Sequence, residues 1–262
     1  MKNFKFVIGL ILSIIIIIGV ILFINFYKPY DKEKELYKVL NGKNFTYYSY
    51  TNDNTKVIKD LNKYINSIYD DFEKNMGVDI DSKIDVMIYK TSSDLTSAID
   101  FGAYKSLEPL GAANGVGIYI VEIQNGSDIK ETFRHELIHK LTSARNVATE
   151  NAAYEWLSEG IAYYYTYLDN NIHYRTNNAL RVAALTNNLP DLSKILKNSS
   201  SVTDEWGYQA YRAIVDFVIS KYGNDKLLEI IDNVGVKNIN EILNLSEEEF
   251  IEEWKNFMIE NY

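Results

Sequence analysis

Two of the three histidines in this 262-residue chain fall in His135-Glu136-Leu137-Ile138-His139. On a helix, positions i and i+4 stack one above the other, so both imidazoles can reach one metal ion. Glu136 stands one step round the helix, where a carboxylate can hold a water that the metal polarises. Phe133, Leu137 and Leu141 form an apolar stripe on the other side. The helix therefore has a core face of its own, and the histidines are not filling one.

A catalytic zinc takes three protein ligands and keeps one position open. The chain has no cysteine, which leaves His173 or a carboxylate as the third. The metzincin pattern needs glycine at 142 and histidine at 145; Thr142 and Arg145 stand there, so that class is excluded. Glu159 lies in the segment Glu155-Trp156-Leu157-Ser158-Glu159-Gly160-Ile161-Ala162. Trp156, Leu157, Gly160, Ile161 and Tyr164 read as the buried stripe of a second helix. A lone carboxylate among them is costly unless it is paired or metal-bound. Glu155, one turn earlier on the same face, is the rival ligand, and an ordinary hydrogen-bonded role is the alternative for Glu159.

The elements that must position these groups follow from periodicity. Phe45 to Tyr50 reads as a strand. Val57, Ile58, Leu61, Ile65, Ile68, Tyr69, Phe72 and Met76 recur at helical steps, and Gly77 closes that helix. Lys83 to Lys90 alternates as a strand, and a short helix starts at Ser93 or Asp94. Gly111 to Gly117 is turn-rich, and Ile118 to Ile123 is a β-branched and aromatic strand. Asp128 caps a helix running to about Ser143, and a second helix covers Asn151 to Leu168. Further helices are expected near Asn177–Thr186, over Trp206–Tyr222 and beyond it, with another short element starting at Leu189-Pro190-Asp191-Leu192. The last opens at Ser246, with Glu249 three residues on as its capping box. The soluble part is thus α+β, with strands first and helices after, in one domain over 45–262.

Composition narrows the function. Hydrophobic residues at 47% and charged residues at 24% describe a globular chain, which excludes wholesale disorder. Three lysines and no acid lie in the first 28 residues, so the remainder carries −12 against −9 for the whole chain. A body that acidic repels phosphate backbones, and no nucleic-acid partner is expected. Phe6 to Ile24 holds no charge and includes five successive isoleucines, Ile14 to Ile18. As a helix this run rises about 28 Å, close to the bilayer's hydrocarbon thickness. Its exit through Phe23, Phe26 and Tyr27 has none of the small residues of a cleavage site. Residues 1–28 therefore read as an uncleaved membrane anchor with the lipid bilayer as partner, and 29–44 as a charged spacer. Lysines flank both sides of the run, and the large C-terminal domain favours an external location.

The pair of segments His135-Glu136-x-x-His139 and Trp156-Leu157-Ser158-Glu159-Gly160-Ile161-Ala162 resembles the gluzincin zinc peptidases, the thermolysin and zinc-aminopeptidase group. It is most similar to the peptidase MA-like family of small bacterial domains. Residues 45–123 resemble that family's strand–helix–strand lead-in and edge strand. Leu189-Pro190-Asp191-Leu192 and Tyr208-Gln209-Ala210-Tyr211 running to Gly223 resemble its helical half. The resemblance implies one zinc on His135, His139 and Glu159, with Glu136 as base and proton shuttle. It also implies that the 118–123 strand lines the cleft and pairs with an extended substrate. Thermolysin-like enzymes place aspartate four residues after the ligand glutamate, and Tyr163 stands there instead. Gly111-Ala112-Ala113-Asn114 is similar to the aminopeptidase loop that captures a substrate's amino terminus. Ala113 replaces the capturing glutamate, which favours internal cleavage.

Peptide hydrolysis also needs a donor for the carbonyl oxygen. Tyr208 is the first candidate, from its place at the start of the family's C-terminal helix; Tyr211 is second and His173 a further one. Tyr208, Tyr211, Val215, Val218 and Tyr222 share a helical stripe, and with 21 tyrosines in the chain a structural role is their default. The expectation is a membrane-anchored, single-zinc peptidase acting on peptide or protein substrates. The alternative is a surface domain that keeps the zinc fold for binding or assembly without turnover.

Overall fold

The computed structural model describes residues 36–51, 55–99, 108–122, 128–168, 174–196 and 207–262. The apolar run Phe6–Ile24, expected as a membrane anchor, lies outside them, as does His173. No helix among the described residues is long and apolar enough to cross a membrane.

In chain order the elements are β1 (Tyr37–Asn41), β2 (Phe45–Ser49), α1 (Thr55–Asn66), α2 (Tyr69–Met76), β3 (Ile84–Tyr89) and α3 (Ser92–Ala98). Then come β4 (Gly111–Ala113), β5 (Gly117–Val121), α4 (Ile129–Arg145), α5 (Glu155–Thr166) and α6 (Tyr174–Leu185). The chain ends with α7 (Leu192–Leu196), α8 (Gly207–Tyr222), α9 (Asn224–Asp232), α10 (Ile239–Leu243) and α11 (Glu247–Asn261). The expected α+β order, strands first and helices after, is present.

The described strands form one sheet in the order β1-β2-β3-β5-β4. β2, β3 and β5 run parallel, while β1 and β4 are antiparallel edges. The central strands are apolar on both faces, as parallel strands covered on both sides must be. Ile84, Val86 and Ile88 of β3 join Ile118 and Ile120 of β5 in the main core, against α1, α2 and α4. Met87, Tyr89, Tyr119 and Val121 point the other way and enclose Leu95 of α3. Phe133 of α4 meets the Phe45 ring edge-on at 5.4 Å, which seats the α4 helix on the sheet.

Three expectations change. The helix expected over 57–76 is two helices. Ser67 and Ile68 turn there, and the Asn66 side chain bonds back to the Asn62 carbonyl at 2.7 Å. That local bond competes with continuation of the helix, although the apolar period runs straight through. The segment expected as a spacer contributes β1, which pairs with β2 through a register shift between Lys38 and Leu40. Its one charged residue, Lys38, and its partial exposure are those of a protected sheet edge. The turn-rich 111–117 segment begins with β4, three small residues held as a strand by Gly111↔Ile120, Ala112↔Tyr119 and Ala113↔Ile118 pairing.

The helical half is built on the contact between α5 and α8. A Cβ at Gly160 would lie 2.6 Å from the Tyr211 carbonyl oxygen, so only glycine lets the two backbones approach this closely. The terminal helix begins as expected. Ser246 accepts from the Glu249 N–H at 3.2 Å, and the Glu249 carboxylate accepts from the Ser246 N–H at 2.8 Å.

Candidate metal centre

Helix α4 is started by Asp128, whose carboxylate accepts from the Lys130 N–H at 2.9 Å. Phe133, Leu137, Ile138 and Leu141 are fully buried beneath it. That anchorage turns His135 and His139 to the opposite side. Helix α5 buries Trp156, Leu157, Gly160, Ile161 and Tyr165, with Tyr165 in the role expected for Tyr164. Its remaining face carries Ser158 and Glu159 towards α4.

The three side chains converge. His135 Nε2 and His139 Nε2 are 3.0 Å apart. Glu159 Oε2 lies 3.5 Å from His135 Nε2, and its other oxygen, Oε1, lies 3.5 Å from His139 Nε2. Three donors bound at about 2.0–2.1 Å to a tetrahedral zinc stand roughly 3.3–3.4 Å from one another. The observed spacings bracket that value, and two imidazoles with one carboxylate are donors that zinc favours. The residues therefore fit a single zinc ion.

Electrostatics agree with this donor set. Burial opposes charge on His139, but the Glu159 carboxylate outweighs it and lifts the imidazolium pKa to about 9. Burial likewise opposes ionisation of Glu159, yet the charge of His139 and hydrogen bonds from both imidazoles hold it well below the usual carboxylate range. The carboxylate is thus ionised at neutral pH and available to a cation. Glu136 is 7% exposed. Burial raises its pKa, the histidine charges lower it, and burial prevails.

Two contacts orient the imidazoles. His139 Nδ1 lies 3.0 Å from Ser158 Oγ. When Nε2 is bound to a metal, Nδ1 carries the proton and donates to that hydroxyl. Tyr163, in the position where aspartate was the family expectation, sets its ring edge-on to His135, 5.2 Å between centroids and nearly perpendicular. Burial and the Glu159 charge raise the Tyr163 hydroxyl pKa, so it stays protonated.

The donors open into a cleft of about 450 Å³ lined by Gly111, Ala112, Ala113 and Asn114 on one side and by α4 and α5 on the other. This corrects the expectation for the 118–123 strand. β5 is paired on both edges, with β3 and with β4, so it has no edge to offer a substrate. β4 is the edge strand beside the cleft. It lies hard against the centre: a Cβ at Gly111 would stand 2.7 Å from Glu136 Oε1 and 2.8 Å from Thr132 Cγ2.

Tyr208, at the start of α8, lines a recess of about 270 Å³ with Glu155, Ser158 and Glu159. Its hydroxyl donates to Glu155 Oε1 at 3.4 Å, so Glu155, the rival ligand, faces Tyr208 and lies outside the donor set. Tyr211 is 5% exposed and packs in the core. Ser158, Tyr163 and Gly111 had no assigned role in the sequence. Ser158 was the most accessible to reasoning, as the immediate neighbour of a candidate ligand on a short helix.

A helix carrying two imidazoles one turn apart, a glutamate from the next helix and a buried glutamate beside them fit an HExxH-type zinc site. The sequence model of the Peptidase MA superfamily matches residues 68–257, from α2 to near the end of α11, and the chain belongs to that superfamily. No curated protein and no solved structure matches the chain.

Proposed function

We propose that the protein is a zinc-dependent peptidase that cleaves within polypeptides. In this reading it is held at the cell membrane by the 6–24 segment, with its domain outside. The observation that carries the reading is Glu136, buried beside a complete His135–His139–Glu159 donor set and under the edge strand β4.

Zinc on those three residues would polarise both a water and the scissile carbonyl. Glu136 accepts the water's proton and passes it to the leaving amine. Its raised pKa suits both steps, because burial favours the protonated form that must be held between them. The outer edge of β4 pairs with no strand among the described residues, and an extended substrate can add to it by main-chain hydrogen bonds. Small side chains at Gly111, Ala112 and Ala113 leave room for it. Tyr208 donates to the carbonyl oxygen as negative charge gathers there.

The test is digestion of a peptide library by the purified chain, with and without chelator. Cleavage within the peptides, lost on chelation and restored by zinc, is expected. Stoichiometric zinc without cleavage of any peptide would favour the binding or assembly reading. For the membrane assignment, protease added to intact cells should digest the domain; protection would reverse its orientation.

A further inference from the structure

Glu136 and Lys140 stand one helical turn apart on α4, on the same side. The short strand β4 crosses above both. At its first residue, Gly111 touches Glu136 so closely that no side chain fits between them. At its other end, Lys140 Nζ donates to the carbonyls of Asn114 at 2.7 Å and Gly115 at 2.9 Å. Those carbonyls belong to a turn that is already fastened internally. Asn114 Oδ1 accepts from the N–H groups of Val116 at 2.9 Å and Gly117 at 3.1 Å, and the Asn114 N–H reaches the Gly117 carbonyl at 3.0 Å. β4 and its turn therefore move as one piece, and Lys140 ties that piece to the helix bearing both histidines. A three-residue strand has little pairing of its own to fix its height above the helix.

From this geometry we infer that Lys140 is a positioning residue. It fixes β4 over the metal helix and so sets the width of the cleft and the alignment of an extended substrate. The substrate part rests on the peptidase reading; the clamp itself does not. Lysine suits the task because its ammonium carries several donors on a long stem and can serve two successive carbonyls. Burial lowers its pKa, while the charge of Glu150 opposes that.

The experiment compares Lys140→Met, which keeps the stem without the donors, and Lys140→Arg, which restores donors, with the parent protein in its zinc-loaded form. In Lys140→Met the amides of residues 111–117 should exchange with solvent faster, and zinc content should be unchanged. KM for peptides long enough to span β4 should rise about tenfold, the scale of losing a charged donor, with kcat within about twofold and KM for dipeptide-length substrates unmoved. Lys140→Arg should recover most of both effects. Parent-like exchange in Lys140→Met overturns the inference, as does faster exchange with an unmoved KM for long peptides. If Lys140→Met does not fold, Lys140→Ala is measured against the same criteria. If the parent cleaves nothing, the peptidase reading fails, and amide exchange still decides the clamp.

Discussion

Glu136→Gln should lower peptide turnover by at least ~10²-fold, the usual scale for losing a general base, while leaving the metal in place. The amide keeps the size of the carboxylate, so the contact beneath Gly111, where a Cβ would lie 2.7 Å from Glu136 Oε1, is preserved. Glu136 is not one of the three converging donors. The substitution also removes a carboxylate whose charge is disfavoured by burial, so the variant should melt no lower than the parent. What it cannot do is accept a proton from water and return it. Three measurements on one preparation, zinc content, melting temperature and kcat/KM, separate this from a structural defect. Unchanged turnover would remove Glu136 as the base. Lost zinc would mean that Glu136 belongs to the donor set.

The parts of this site that could be read from sequence are those whose geometry one element fixes. The spacing of His135 and His139 is set by a single helical turn, and Asp128 marks where that helix begins. Glu159 stood out because a carboxylate interrupted an apolar run. What could not be read depends on neighbours distant in sequence. Ser158 meets His139 only because α4 and α5 cross at that point. β4 has no β-branched residue and takes its strand state from β5. The more strand-like run from Ile118 therefore reads as the strand beside the cleft, although β5 is interior, paired on both edges. β1 is obscured because it is short and follows a run of charged residues, with Lys38 its own single charge. The break at Ser67 was obscured by an apolar period that continues across it. Tyr208 and Tyr211 look alike in a helical stripe, and only packing turns one to the recess and the other into the core.

Glu159→Gln should affect the metal where Glu136→Gln does not, and it should change the proton count of binding as well. Zinc requires a neutral imidazole, so His139 must lose its proton before Nε2 can coordinate. With its pKa at about 9, that proton is present at pH 7 in the metal-free protein. Zinc binding at pH 7 should therefore release about one proton from His139, and apparent affinity should rise roughly tenfold per pH unit between pH 7 and 9. Glu159 is the main source of that raised pKa, through its charge and its hydrogen bond to His139, and the Glu136 charge adds to it. Replacing it by a neutral amide removes a donor of the site and the main cause of the shift together. Affinity should fall by more than the roughly 10–100-fold of losing an outer-shell partner. Proton release from His139 should shrink, because burial then lowers its pKa unopposed by that carboxylate. Calorimetric titration in buffers of different ionisation enthalpy reads affinity and proton release in one experiment. Parent-like affinity in Glu159→Gln would remove Glu159 from the site. A large affinity loss with proton release unchanged would keep it as a ligand but show that another group holds the proton on His139.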